Sequence, residues 1–434
     1  MHSMKTQFEK KEKMDEQDIV QQLIDELREV LDFMHSPTND ELLEMIEESV
    51  INYSKEHQLS SQMMKTIVDR IFHAFRGLGV LQPILDDPTI TEIMINSFDE
   101  IFIERDGQVI ETDVQFESQQ RLEDTIQAIV SRVNRVINES SPIVDARLED
   151  GSRVNVVLPP IALKGPAMTI RKFPEQPLMI EDLIKFGALD SESAEFLRHL
   201  VEAKYNVFIS GGTGSGKTTF LNVLSNFIPE DERIITIEDS AELQIRNVPN
   251  IVNLETRNKN TEGKGEVSIR DLIKASLRMR PSRIIVGEVR GAEALDMLQA
   301  MNTGHDGSLS TGHSNSIVDM LSRLETMVLS GAELPIPVIR NQISSAIDIM
   351  VHLSRFRDHS RKVVQISEVL GIENGEVKLS NLYEYQETGE DTRGKIIGEL
   401  VRTDQPFHMV NKLRLAGKSD VIQSINDGST KVGK

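Results

Sequence analysis

The chain has 434 residues, 39% hydrophobic and 27% charged, the composition of a soluble globular protein of about three domains. Its 48 Lys and Arg stand against 69 Asp and Glu, and the formal net charge of -21 opposes any general coating of nucleic acid or anionic lipid. Cysteine is absent, which excludes disulfides, a thiol nucleophile, iron–sulfur clusters and cysteine zinc sites, and fits a reducing cytosol. No apolar run approaches the ~20 residues of a membrane-crossing helix. The opening MHSMKTQFEKKEKMDEQD has charges where a signal peptide needs its apolar stretch. The acidity is uneven: residues 1–60 hold 15 acids and 6 bases, a net of -9.

Residues 1–75 predict a helical bundle. Ile19, Val20, Leu23, Ile24, Leu27, Val30 and Leu31 recur at helical spacing, and Pro37 breaks the pattern. Leu42, Leu43, Ile46, Val50 and Ile51 form a second stripe. Ser60 caps a third, built on Ile67, Ile71, Phe72 and Phe75. Residues 76–173 read as an α+β domain. Strand-like runs fall at Glu92–Ile95, Ile101–Glu104 and Val109–Ile110, with a hairpin turn at Asp106-Gly107. A helix follows with Leu122, Ile126, Ile129, Val133 and Val136 on one face, then strands at Arg153–Leu158 and Ala167–Phe173. Two prolines in Phe173–Pro177 predict a hinge. Residues 178–385 alternate strand and helix, with strands at Asn206–Ser210, Arg233–Ile237, Ile251–Leu254, Arg283–Val286 and Ile347–Leu353. That alternation predicts an α/β fold with a mostly parallel sheet. Residues 386–434 read as a polar C-terminal extension with one weak helical stripe near Met409–Leu415.

Gly211, Gly212, Thr213, Gly214, Ser215, Gly216, Lys217 and Thr218 spell the phosphate-binding loop pattern, between an apolar strand and a helix that opens at Thr219. Such glycines let several backbone N–H groups converge on one anion at a helix N-terminus. Lys217 would reach the β- and γ-phosphates, and the Thr218 hydroxyl would ligate Mg²⁺. Acids at two strand ends are candidates for arranging metal and water: Glu238 and Asp239 after one strand, Glu288 after another. In the second, Gly287 stands where the usual metal-binding Asp of a Walker B strand would be. The stretch Asn302–Asn315 carries His305 and His313 among small and polar residues, which suits a loop near a ligand, and one of them is a candidate for bonding a γ-phosphate. Arg270, Arg278, Arg280, Arg283 and Arg290 supply positive charge of the kind phosphoryl transfer requires.

Longer strings carry a resemblance. Glu255-Thr256-Arg257, Gly263-Lys264-Gly265-Glu266, Leu277-Arg278-Met279-Arg280-Pro281, Val286-Gly287-Glu288-Val289-Arg290-Gly291 and Met301–Ser308 closely resemble the type II/IV secretion ATPases, and within them the CpaF (TadA) branch of Flp/Tad pilus motors. Thr91–Asn96 and Asp150–Asn155 extend the likeness, which covers roughly residues 75–385. The resemblance implies an ATP-hydrolysing homo-hexamer, peripheral to the membrane at its cytoplasmic face, working with inner-membrane platform proteins. It implies a RecA-like P-loop ATPase domain behind an arginine-bearing front domain. It gives Glu238 to the Asp box and to metal binding, Glu288 to the atypical Walker B motif, and His313 to γ-phosphate sensing. Arg153 and Arg171, with Arg147 less clearly matched, become arginine fingers. Gly312 departs from the family, whose members carry a bulkier apolar residue before the histidine, and so does Ser314. The missing cysteines rule out the Cys₄ zinc insert of the type II branch. Two rival readings remain: a related motor for conjugation, DNA uptake or protein secretion, and a nucleotide-gated scaffold that barely hydrolyses ATP.

Overall fold

In the computed structural model the described residues are 16–31, 39–57, 59–76, 78–105, 107–133, 135–148, 150–173, 177–257, 259 and 264–426. The predicted break at Pro37, Asp106 of the predicted turn and residues 174–176 of the predicted hinge lie outside them. The chain divides into two compact units between Pro174 and Glu175. Among the described residues, no helix is long and apolar enough to cross a membrane.

The first unit begins with helices α1 (Glu16–Leu31), α2 (Asn39–His57) and α3 (Ser61–Arg76). Each buries one narrow stripe: Ile19, Leu23 and Leu27; Leu42, Ile46 and Val50; Ile67 and Ile71. Val30, Leu43 and Ile51, expected in the stripes, are exposed because they sit a residue or more off the buried line. Ser60 Oγ accepts the Met63 N–H at 3.2 Å, capping α3. A short α4 (Gln82–Asp86) leads into a six-stranded antiparallel sheet. Its strands are β1 (Ile90–Ile95), β2 (Ile101–Arg105), β3 (Gln108–Glu111), β4 (Ile143–Arg147), β5 (Arg153–Val157) and β6 (Ala167–Arg171), ordered β3-β2-β1-β6-β5-β4. Helix α5 (Gln119–Arg132), capped by Ser118, lays Leu122, Ile126, Ile129 and Val130 on one face of it. The helix stops short of Val136, which is 59% exposed. Strand β4 escapes sequence reading because, as an edge strand, it buries only Val144.

The second unit contains, in order, α6 (Ile180–Lys185), α7 (Ser191–Glu202), β7 (Val207–Gly211), α8 (Lys217–Ser225), β8 (Ile234–Glu238), β9 (Ile251–Glu255), α9 (Ile269–Ser276), β10 (Arg283–Val286), α10 (Glu293–Asn302), β11 (Leu309–His313), α11 (Ile317–Gly331), α12 (Ile336–Ala346), β12 (Ile349–Arg355), β13 (Arg361–Glu373), β14 (Glu376–Glu390), β15 (Ile396–Arg402), α13 (Asn411–Leu415) and α14 (Ser419–Asn426). Its nine-stranded sheet runs β15-β14-β13-β12-β7-β11-β10-β8-β9. The six strands from β12 to β9 are parallel, and β13 to β15 add on antiparallel. Period-two alternation sends Val207, Ile209 and Ile285 into a core with α7 and α8. Phe208, Ile284 and Val286 point the other way, into a core with α9 to α12. Burial on both faces explains the unbroken apolar runs of these strands.

Two sequence expectations are corrected. The His313 stretch is not a loop: Leu309–His313 is a central strand between β7 and β10. Its small residues hide it from a β-branched pattern, yet they suit a strand pressed between neighbours. The boundary drawn at 385 falls inside β14, and Leu400, Phe407, Leu413 and Ile425 join the same core as Val207. Residues 386–426 therefore belong to this unit rather than to a separate extension. The long outer strands bury few residues, so their sequence looks polar.

Candidate active site

Parallel strands gather their loops at their carboxyl ends, and that is where the chemistry-bearing residues collect. Strand β7 ends at Gly211, and α8 begins at Lys217. Gly214 (φ 69°) and Gly216 (φ 91°) bend the intervening loop through the left-handed region, which favours glycine. Lys217 is buried, and its Nζ donates to the Gly212 carbonyl at 2.9 Å. Burial pulls the lysine pKa down, while the Glu288 carboxylate opposes the shift. Thr218 is half-buried in the first helical turn, and Thr219 is exposed.

Strand pairing sets His313 beside this loop. In the parallel pair β7–β11, His313 lies opposite Gly211, and the Ser314 N–H continues the ladder to the Gly211 carbonyl. His313 Nδ1 is 3.2 Å from Lys217 Nζ, and Nε2 is 2.9 Å from Glu288 Oε1. Burial lowers the His313 pKa; Lys217, Arg290 and Arg323 push the same way and Glu288 opposes them. A neutral ring accepting from the lysine at Nδ1 carries its proton on Nε2, toward Glu288.

Glu288 follows β10 and is held from both sides. The Gly287 N–H donates to the Ile237 carbonyl, Thr311 Oγ1 donates to the Gly287 carbonyl, and the Val289 N–H donates to the Thr311 carbonyl. Glu288 Oε2 accepts from Arg290 Nη2 at 2.8 Å, and Arg290 Nη1 lies 3.4 Å from Asp239 Oδ2. Glu288 Oε1 is buried and makes no hydrogen bond, because His313 Nε2, although close, is poorly aligned with it. Lys217, His313, Glu288, Arg290 and Asp239 thus form one line of charge across four strand ends.

Glu238 has a different place. It is buried, and its Oε1 accepts the N–H groups of Glu242 and Leu243 at 2.9 and 3.1 Å, folding the next loop around itself. A Cβ at Gly287 would stand 3.0 Å from Glu238 Cγ. Any side chain at 287 would press on Glu238, and the glycine leaves that glutamate its room.

Of the five arginines singled out by sequence, the structure brings only Arg290 into this line. Arg283 starts β10, at the opposite end of the strand; it is fully buried, clasps Glu232 at 2.9 and 2.7 Å and donates to the Val201 carbonyl. Arg270 lies 2.7 Å from Asp296, and Arg278 and Arg280 are exposed. His305 sits before β11 with Nδ1 3.2 Å from the Ala300 carbonyl, so the two histidines are not paired at the site. Two arginines that sequence reasoning missed flank the loop. Arg361 Nε donates to the Gly214 carbonyl at 2.9 Å, and Arg355 Nη1 lies 3.4 Å from where a Gly214 Cβ would be. Arg361 follows Gly214 by 147 residues, in a region with no motif to mark it.

In the first unit, Arg147, Arg153 and Arg171 are direct cross-strand neighbours, and the row continues to Glu92 and Glu104. Burial raises the Glu92 pKa; Arg171 counters and Glu104 adds to it. Like charges opposite one another destabilise a sheet.

The residues fit a nucleotide and Mg²⁺. The loop presents backbone N–H groups at a helix N-terminus, with a buried lysine, a hydroxyl at Thr218 and one buried carboxylate oxygen without a hydrogen bond. Among the described residues no three His, Asp or Glu converge to hold a metal alone. A groove of about 220 Å³ opens beside the loop, lined by Gly212, Thr213, His313, Ser314, Asn315, Asp319 and Arg323.

Known proteins share this plan. The chain is 43% identical over 276 residues to an uncharacterized protein of Methanocaldococcus jannaschii; the match covers 62% of this chain and 38% of that relative's length. It is 33% identical over 308 residues to the conjugal transfer protein TrbB of Rhizobium radiobacter, covering 70% of this chain and 91% of that protein. The crystal structure of the pilus retraction motor PilT with bound ADP shares the fold, with TM-score 0.50 and 18% identity over 81% of this chain and 88% of that one. The description "type II/IV secretion system protein" matches residues 75–414, a span that holds both the phosphate-binding loop and the line of charge that ends at Glu288. The chain belongs to the type II/IV secretion system protein family and is a P-loop ATPase.

Proposed function

We propose that the chain is an ATP-driven motor of the conjugal-transfer and type IV secretion kind, working as a homo-hexamer at the cytoplasmic face of the membrane against platform proteins in that membrane. The observation that carries this reading is the line Lys217–His313–Glu288, with a buried Glu288 oxygen that makes no hydrogen bond. Lys217 and the loop N–H groups bind the β- and γ-phosphates. Mg²⁺, when held by Thr218 and the phosphate oxygens, supplies charge neutralisation. Glu288 orients a water for attack on the γ-phosphorus, the bond to the bridging oxygen breaks, and ADP and phosphate leave. His313 contacts the γ-phosphate side of the site and carries its state to Glu288. Glu238 acts by shaping the loop behind Glu288, beside the share in holding Mg²⁺ that the resemblance gives it. Arg153 and Arg171 serve as fingers on the nucleotide, the role that their match to the family's motifs implies.

The narrower reading, assembly of a Flp/Tad-type pilus, rests on the CpaF-like strings between Glu255 and Ser308. The conjugal-transfer name of the TrbB relative favours the broader one. Phosphate release by the purified chain tests the enzymology. Turnover in the native protein and its loss in Lys217→Ala and Glu288→Gln are expected. Near-normal hydrolysis by Lys217→Ala overturns phosphate binding by the lysine, and near-normal hydrolysis by Glu288→Gln overturns water orientation by the glutamate. Deleting the gene and scoring DNA transfer against surface pili separates the two cargoes.

A further inference from the structure

The phosphate-binding loop is gripped from outside by a residue far along the chain. Strands β12 and β13 form a hairpin that turns at Phe356–Ser360, where the Phe356 N–H donates to the Ser360 carbonyl at 2.8 Å. Arg361 opens β13 and is exposed, and its Nε donates to the Gly214 carbonyl at 2.9 Å. The stem touches the loop a second time, with Arg361 Cδ 3.4 Å from where a Gly216 Cβ would be. One side chain thus spans the two glycines whose left-handed backbone makes the loop turn.

The hairpin that carries Arg361 is itself anchored. Arg357 pairs with Glu387 and Glu390 on β14. Asp358 accepts the Ile396 N–H of β15 at 2.9 Å, and also the N–H and hydroxyl of Ser360. Strand β12 runs beside β7, with Leu353 opposite Gly211. The guanidinium therefore stands on a fixed support.

Across a trans peptide the carbonyl and the following N–H point in opposite directions. Holding the Gly214 carbonyl toward Arg361 therefore turns the Ser215 N–H into the loop, where it meets the Gly212 carbonyl at 3.3 Å. Ser215 Oγ and Lys217 Nζ, each 2.9 Å from that same carbonyl, mark this side as the interior. A loop that cradles phosphate has to keep its N–H groups in and its carbonyls out. Glycine leaves that choice open, because it populates left- and right-handed backbone about equally. Water can satisfy a surface carbonyl as well as an arginine can. What a fixed donor adds over water is direction.

We propose that Arg361 is a positioning residue of the phosphate-binding loop: by holding the Gly214 carbonyl outward it keeps the Ser215 N–H facing the phosphate seat. The inference rests on the nucleotide-binding reading of the loop and adds to it the residue that maintains the binding shape. Arg361 acts through the loop backbone, not by contact with ATP.

The test uses the full chain and three variants. Arg361→Met keeps the stem and removes the donor. Arg361→Gln places an uncharged N–H donor the same number of bonds from the backbone as the arginine Nε. Arg361→Lys keeps the charge and moves the donor one bond outward. Calorimetric titration reads ADP affinity, and phosphate release reads kcat and KM for ATP. In Arg361→Met, ADP affinity should fall and KM should rise by about tenfold to a hundredfold, the range for one hydrogen bond from a charged group. Its kcat should stay within about threefold of native, because the β-phosphate is held in ground state and transition state alike. The denaturant midpoint should stay native, since the residue is exposed. Arg361→Gln should recover most of the ADP affinity. Native ADP affinity in Arg361→Met overturns the proposal, and so does a loss of kcat at unchanged KM. Arg361→Gln binding as weakly as Arg361→Met overturns it too, since charge rather than a directed donor would then be at work. If Arg361→Met fails to fold, the other two variants decide: tighter ADP binding by Arg361→Gln upholds the proposal, and tighter binding by Arg361→Lys overturns it. Absence of phosphate release by the native chain would sink the hydrolysis reading, and the ADP titrations would still decide on Arg361.

Discussion

Strand β10 has an arginine–glutamate pair at each end, buried at its start and with an exposed arginine at its finish, and the two ends are built on opposite terms. At its start, Arg283 clasps Glu232 with two nitrogens and gives another to the Val201 carbonyl. Burial pushes the Glu232 pKa up, but Arg283 and Lys204 more than offset this and hold it below the ordinary carboxylate value. At the other end, Glu288 satisfies one oxygen on Arg290 and leaves the second buried without a hydrogen bond. A saturated buried pair specifies packing, whereas an unsaturated one keeps a place for a ligand. Both ends contain arginine and glutamate, so residue type alone cannot tell them apart.

That contrast can be broken in order of size. Glu288→Gln should lower turnover by about a hundredfold to ten-thousandfold, the usual range for a positioned acid–base group, and leave the denaturant midpoint close to native. A variant that also unfolds easily would place Glu288 with Arg283 as a structural residue. Arg283→Met should do the reverse. It strands Glu232 in the core and should cost about 3–5 kcal/mol of stability, read from denaturant unfolding. If it folds at full stability and only turnover suffers, the charge at the start of β10 is functional after all. Between these lies Gly312→Ala. A Cβ there would stand 2.8 Å from Met320 Sδ and 3.0 Å from Phe208 Cζ. Overpacking of this kind costs about 1–3 kcal/mol, and thermal unfolding will show it. Native stability in that variant would mean that Met320 swings aside freely, and that the glycine departure has no packing reason.

The sequence alone exposes some of this and hides the rest for definite reasons. The loop Gly211–Thr218 is contiguous, so its pattern is complete in one stretch of chain. The parallel strands announce themselves because both of their faces are apolar. Gly287 is visible as a missing aspartate, but its cause is not, since Glu238 lies 49 residues away and meets it only through the pairing of β8 with β10. The basic run from Arg270 to Arg290 reads as one seam. Strand direction divides it, because Arg283 opens β10 and Arg290 lies beyond its other end. Arg355 and Arg361 are invisible for a related reason. They reach the loop by register with β7 or across the sheet edge, and no local pattern records a register.

The smallest effect concerns pH and separates the two ends once more. Burial disfavours the charged form of His313, and Lys217, Arg290 and Arg323 reinforce that against Glu288, so the folded chain takes up this proton at lower pH than the unfolded one. The stability this group contributes is therefore full above about pH 6.5, the unperturbed histidine value, and is lost as pH falls through the lower folded value. Turnover should follow the same limb. Protonation puts a donor on Nδ1, 3.2 Å from the Lys217 ammonium, and the two cations must part. The kcat profile of the native protein should be flat from about pH 8 to pH 7 and decline below about pH 6.5. His313→Gln, uncharged throughout, should be slower at every pH and lack that acidic limb. A parallel decline in both proteins would move the titration off His313, and would leave the neutral imidazole between Lys217 and Glu288 without a part in turnover. The Arg283–Glu232 end predicts no such limb near neutrality, since its carboxylate is held below the ordinary carboxylate value.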